Sequence, residues 1–380
     1  MRNAGRTERT PVKKWKKPLV ALVAAAIVVF GAGSGVAVEA SSKGTSTTIP
    51  KGAVAKKIRI GYFANVTHAT ALVAVQRKTF EKYFKADKTK VEFTVFNAGP
   101  AVIEAMKGGA IDVSYIGPNP AIAGHVSTNG SLLRIIAGAT LNGAQLVVKS
   151  SINSIADLKG KTIATPQLGN TQDVAVRAYL KKQGLSTTIT GSGDVAIAPT
   201  ENSNTLTLFK SGKLDGAWVP EPWSSRLVLE AGAKVLLDEK DIWTGKRFLT
   251  TNVIASQSFL KKFPGSIDSF LRAHIETIDF ISAKKNEVTV KNFVQAELVA
   301  KTGKALADDV INRAWGNIII SEDPVARVLL ESANDAADVG LLKLGAKGVT
   351  GIYDLRILNK IRAEKDPKFK KYQTAGLGLS

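Results

Sequence analysis

The sequence predicts an α/β protein of two lobes with a ligand cleft and a hinge between them. Three observations carry this prediction. From residue 57 onward, short β runs alternate with helical patterns, as in mostly parallel sheets joined by helical crossovers. The alternation occurs twice, with a break near residue 150. A long, mainly helical tail then runs to residue 362 with few partners of its own, and the economical arrangement packs it back on the first lobe.

The elements follow in order. In the first series, β runs at 58–62, 91–96, 112–116, 133–139 and 145–149 enclose helical patterns at 68–84, 100–107 and 118–127. In the second, β runs at 161–164, 194–198, 215–219 and 233–237 enclose helices at 173–180, 202–210 and 222–231. A β run at 249–256 begins the return. The first lobe is therefore assigned residues 57–145 with 250–380, and the second 146–249. The chain crosses near 141–150 and 245–255.

Residues 1–17 carry seven Lys/Arg and one acid, and residues 18–38, PLVALVAAAIVVFGAGSGVAV, carry no charge. A small residue, Ala40, precedes Ser41-Ser42. This is the layout of a secretory signal over 1–40, and the apolar stretch is also long enough for an uncleaved membrane anchor. Residues 41–56 read as a flexible spacer. The expected location is extracytoplasmic, in a periplasm or at a cell surface.

Composition excludes several functions. The chain has no cysteine, which removes disulfides, thiol catalysis and Cys-ligated zinc. His68, His125 and His274 lie far apart without metal-ligand spacing, so no metal site is expected. The net charge is +20 over 380 residues, falling to +15 without residues 1–40. Its lysines are spread along helices without interleaved aromatics, which points to a solvated face and not to a nucleic-acid groove. No Gly-x-Ser-x-Gly, phosphate loop or Gly-x-Gly-x-x-Gly is present. No catalytic residue and no cofactor is assigned.

Ligands of open parallel sheets sit at the carboxyl ends of strands, where helices begin. Six strand-to-helix turns qualify: 64–68, 97–100, 117–120, 168–172, 199–202 and 220–223. The first five consist mainly of small, amide or hydroxyl residues, and none carries Lys or Arg. Helix N-termini present unpaired N–H groups and roughly half a positive charge each, so they can hold a small oxyanion without a cation. The candidate ligand-binding residues are His68, Asn119, Asn170, Thr171, Gln172, Thr200, Glu221 and Trp223. Asn170 also reads as an N-cap, Asp173 as the acid of a capping box, and Thr200 as a further cap. Glu221 has two readings. In one it is structural, in the first turn of a helix, facing solvent or an Arg such as Arg226. In the other it receives a ligand's ammonium group beside Trp223 or Trp218.

Five strings complete the reading: GYFANVTHATALVAVQ (61–76), FNAGPAVIEAMKGGAIDVSYIGPNPAIAG (96–124), SINSIADLKGKTIATPQLGNTQDVAVRAYLKKQGL (151–185), PTENSNTLTLFKSGKLDGAWVPEPW (199–223) and GIYDLRILN (351–359). As a set they resemble the periplasmic-type substrate-binding proteins of ABC importers, in the nitrate/sulfonate/taurine branch. The likeness spans about residues 57–362. It implies a type II periplasmic-binding-protein fold, capture of a small anion by lobe closure, delivery to the transmembrane subunits of an ABC permease, and action as a monomer. The Gly-Asn-Thr-Gln turn and Trp-x-Pro-Glu-Pro-Trp look most like aliphatic-sulfonate binders. Nitrate or another small oxyanion is the alternative, and an enzyme on the same scaffold is a second. One methylene changes pocket preference by only ~1–3 kcal/mol, so residue types alone do not select the sulfonate.

Overall fold

A computed structural model describes residues 52–380. The signal of 1–40 and residues 41–51 of the spacer lie outside the described residues. Among those described, no helix is long and apolar enough to cross a membrane.

The first unit opens with β1 (Lys57–Phe63), α1 (Ala69–Gln76), α2 (Thr79–Phe84), β2 (Lys90–Phe96), α3 (Gly99–Lys107), β3 (Val113–Ile116), α4 (Pro118–Ser127) and β4 (Leu133–Asn142). The second contains β5 (Ala144–Val148), β6 (Thr162–Thr165), α5 (Thr171–Lys182), β7 (Ala196–Pro199), α6 (Asn202–Lys210), β8 (Gly216–Pro220), α7 (Trp223–Ala231) and β9 (Lys234–Asp238). The return comprises β10 (Leu249–Ser256), α8 (Gln257–Lys262), α9 (Pro264–Ser282), α10 (Glu287–Thr302), α11 (Asp308–Gly316), β11 (Ile318–Ile320), α12 (Ala326–Asp338), β12 (Tyr353–Asp354), α13 (Arg356–Lys365) and β13 (Gly378–Leu379).

Two sheets result. One has the order β13-β12-β4-β10-β3-β1-β2 with β11 also on β4, and the other β7-β6-β8-β5-β9. β1 runs parallel to β2 and β3, and β6 parallel to β7 and β8. β10 runs antiparallel to β3 and β4, and β5 antiparallel to β8 and β9. These reversed strands depart from the parallel pattern for a topological reason. Each is the strand by which the chain enters a sheet directly from the other one, without a helical crossover.

Only Gly143 separates β4 from β5, at φ 79°. A Cβ there would run into the Ile318 side chain, so both conformation and space favour glycine. The reverse crossing runs between β9 and β10. A small apolar cluster of Leu141, Ala144, Phe248, Leu249 and Val328 packs where the two crossings meet. The main core surrounds the first sheet, and two smaller clusters form around the second.

Two expectations change. The helix expected over 68–84 is two helices, because Lys78 takes a left-handed conformation (φ 54°) and ends α1. α2 can then turn Phe80 onto Phe270 of α9, ring centroids 5.2 Å apart. The helical tail also does not pack on the first unit alone. α9, α10 and α13 do, but α11 packs on α7 and α12 on α5. Lys182 of α5 meets Asp335 of α12 at 2.7 Å.

Candidate functional site

Four helical N-termini converge on one cavity of about 20 Å³, room for little more than a water-sized group. Asn65, Thr67 and His68 come from the short 3-10 turn after β1, and Gly117 precedes α4. Asn170, Thr171 and Gln172 open α5, and Asn202 opens α6. Phe63, Asn97, Pro220 and Thr250 complete the wall. No charged side chain lines this cavity, in a chain of net charge +20.

The polar groups are held in place. Thr67 O accepts from Thr251 Oγ1 at 3.0 Å. His68 Nδ1 accepts the Phe63 amide hydrogen at 3.3 Å, and the ring stacks on Phe63 with centroids 4.3 Å apart. That bond leaves the ring proton on Nε2. Burial pushes the imidazole down to about 3, so it is a neutral donor at physiological pH. Asn170 occupies the N-cap position of α5 with extended backbone, yet its side chain makes no capping bond. Thr171 Oγ1 and Asn202 Oδ1 are buried without a hydrogen-bond partner among the described residues. Gly117 lets this approach happen: at its ordinary φ of −68°, a Cβ would collide with Thr171 Oγ1.

An outer chamber of about 550 Å³ adjoins the inner cavity and shares Asn65, Asn97 and Asn202 with it. Phe96, Leu206, Trp223, Leu298 and Leu306 give it apolar surface, and Lys210, Arg226, Lys304, Glu201 and Glu230 give it charge. Trp223 stands beside the junction. Its Nε1 donates to Asn65 Oδ1 at 2.8 Å, and the Arg226 guanidinium lies 5.2 Å from its ring centroid.

Residues 51–294 match the NMT1-like family. The chain belongs to that family. Over 206 residues it is 26% identical to the taurine-binding periplasmic protein of Escherichia coli, spanning 54% of this chain and 61% of that protein. In solved structures it is similar to the alkanesulfonate-binding protein SsuA of Xanthomonas axonopodis pv. citri bound to MOPS. The TM-score there is 0.64 at 22% identity, covering 76% of this chain and 95% of the other. It is equally similar to the periplasmic nitrate-binding protein NrtA of Synechocystis PCC 6803, with TM-score 0.64 and 16% identity over 77% of this chain and 84% of the other. The two-sheet architecture of this NMT1-like protein is thus the type II periplasmic-binding-protein fold.

Within the family fold, His68, Asn170, Thr171 and Gln172 meet at the inner cavity, and Trp223 lines the outer chamber. Three other candidate residues sit elsewhere. Asn119 donates from Nδ2 to Ser332 O at 3.2 Å, tying α4 to α12. Thr200 donates to Ala198 O at 3.0 Å in the extended lead into α6, and Asn202 two residues later takes its place on the wall. Glu221 is fully buried and lines neither cavity. Its carboxylate accepts from Asn317 Nδ2 at 2.7 Å, Arg313 Nη1 at 3.2 Å and the Ser225 amide at 3.1 Å, which corrects the reading that gives it to a ligand amine. The expected partner Arg226 pairs with Glu230 instead.

Asp173 is also not a capping-box acid. It accepts from Thr165 Oγ1 and the Gly169 amide, each at 2.9 Å, and from Arg177 Nε at 3.1 Å. Sequence reasoning missed Asn65, Thr67, Asn97, Gly117, Asn202 and Thr250. The first five lie in turns already identified at strand ends. Thr250 arrives on antiparallel β10, where no local signal marks it.

Proposed function

We propose that this protein is an extracytoplasmic solute receptor of an ABC importer, binding a small organic sulfonate by closure of its two lobes and passing it unchanged to the permease. One observation carries the choice of ligand: a charge-free polar cavity shares a wall with a much larger, partly apolar chamber. Amide, hydroxyl and imidazole donors at helix ends around the inner cavity are of the kind that hold a compact oxyanion, and lobe closure and opening would adjust the space between them. The outer chamber offers Trp223, Leu206, Leu298 and Leu306 to a substituent that a sulfonate carries and nitrate lacks.

The binding of taurine and alkanesulfonate by similar proteins supports this reading. Nitrate is the second reading. It is favoured by the small volume of the inner cavity and by the likeness to NrtA. The segment 1–40 is proposed to export the protein, which then acts as a monomer.

Titration calorimetry on protein freed of carried-over ligand tests the proposal. Methanesulfonate, MOPS, taurine and nitrate are compared at one ionic strength. The expected result is stoichiometric binding of at least one sulfonate, tighter than nitrate, with the ligand recovered intact. Tighter nitrate binding, or release of sulfite, overturns it.

A further inference from the structure

Glu221 lies where the chain passes between the two sheets. Its amide donates to Gly143 O at 2.8 Å, and its carbonyl accepts from the Thr67 amide at 3.5 Å. Its neighbours on either side form the site, with Pro220 on the inner cavity and Pro222 and Trp223 on the outer chamber. The buried carboxylate reaches the other way, into a network with half-buried groups.

Arg313 of α11 is the centre of that network. Nη1 donates to Glu221 Oε1 at 3.2 Å and to Ser225 Oγ at 2.8 Å, and Nη2 donates to Gln145 Oε1 at 2.7 Å. Asn317, just past α11, adds its bond to the same carboxylate oxygen at 2.7 Å. Glu221 just past β8, Ser225 on α7 and Gln145 on β5 stand around the second sheet. Arg313 and Asn317 lead into β11, which pairs with β4 of the first sheet. One planar guanidinium fork therefore joins three groups of one unit to a helix that packs on α7 and leads directly into β11 of the other sheet. A buried carboxylate cannot lose this partner cheaply, so the fork favours the arrangement in which the two units meet.

We propose that the Glu221–Arg313 pair is a ligand-independent clamp on the closed form, and that Arg313 is a positioning residue for binding. The pair sets how often the wall from Pro220 to Trp223 is presented to the inner cavity. Apparent affinity scales with the population of the binding-competent form, so the clamp acts on every ligand by one common factor. The inference rests on the proposed closure of two lobes around a ligand, and not on which anion is captured.

The test uses the mature-length chain with Arg313→Met, Arg313→Lys and Glu221→Gln, and Gln145→Met as the mildest variant because it leaves the ion pair intact. Small-angle scattering without ligand is the first readout. The expected result is a larger radius of gyration for Arg313→Met than for wild type, with Arg313→Lys and Gln145→Met between them and native far-UV circular dichroism throughout. Calorimetry and stopped flow with methanesulfonate and nitrate are the second. Affinity should fall about tenfold for each ligand that wild type binds, in equal proportion and mainly through slower association. A radius equal to wild type in all folded variants overturns the clamp, even where thermal stability drops. So does an affinity loss confined to one ligand. Failure of wild type to bind any sulfonate refutes the proposed function instead and leaves the scattering comparison decisive for the clamp.

Discussion

Asp173 and Arg177, one turn apart on α5, form a fully buried ion pair directly beneath the turn at 168–172, with Nε to Oδ2 at 3.1 Å. The same carboxylate holds the Gly169 amide and the Thr165 hydroxyl, and Arg177 also donates to Thr188 O. The pair therefore fixes where α5 begins relative to β6, and with it the positions of Asn170, Thr171 and Gln172. The Arg177 charge beneath the proposed anion site is thus neutralised by Asp173.

Replacing Asp173 by Asn should destabilise the protein by roughly 3–5 kcal/mol, because it leaves a buried guanidinium without its counter-charge. Urea unfolding followed by circular dichroism measures this. Anion affinity should fall as well, since the turn loses its anchor.

Thr171 and Gln172 should contribute to affinity through neutral hydrogen bonds. Thr171→Val and Gln172→Ala are each expected to lose about 1–3 kcal/mol of binding free energy by calorimetry. Lys182→Ala should change affinity by less than about 1 kcal/mol, because its pair with Asp335 is exposed at the far end of the helix. The opposite order would argue for a site built on cations.

Gly117→Ala places a methyl group against Thr171 Oγ1. The strain should cost about 1–3 kcal/mol, read as lower affinity with a smaller fall in melting temperature. Undiminished binding would remove Thr171 from the ligand's surroundings.

The pH dependence has two opposing parts. Burial lowers the folded-state value of His68 to about 3 and of His274 to about 4, from 6.5. The unfolded chain then binds more protons below pH 6.5, so this stability is complete above 6.5 and is lost as pH falls toward 3–4. Burial raises Glu239 from 4.5 to about 8, partly offset by the Trp218 indole N–H at 2.6 Å. Here the folded state binds the extra proton, so the contribution is complete below pH 4.5 and is lost as pH rises through 8. Denaturant midpoints should thus peak near neutrality, and Glu239→Gln should flatten the alkaline side. Anion affinity should be level from pH 5 to 8, because His68 stays neutral there. A binding step near pH 6.5 would contradict the buried tautomer.

By itself, the sequence determined most of the elements and the turns from which the cavity is lined. Apolar runs of period two and helical spacing placed most strands and helices between residues 57 and 256, because these periodicities are local consequences of backbone geometry, while the tail beyond was read only as mainly helical. The turn LGNTQ pointed to a polar cavity wall for the same reason: unpaired N–H groups at a helix start are a property of the helix alone. Tertiary structure alone decided which turns meet. Asn202 replaces Thr200 because α6 begins two residues later on the cavity wall, and Thr250 joins because β10 enters its sheet reversed. Asn119 and Glu221 have the residue types of ligand groups, yet Ser332, Arg313 and Asn317 claim them. Those partners lie 92 to 213 residues away in sequence. A polar side chain at a helix start bonds to whatever the fold places opposite it, and that neighbour is set by packing between distant segments, which local sequence does not encode.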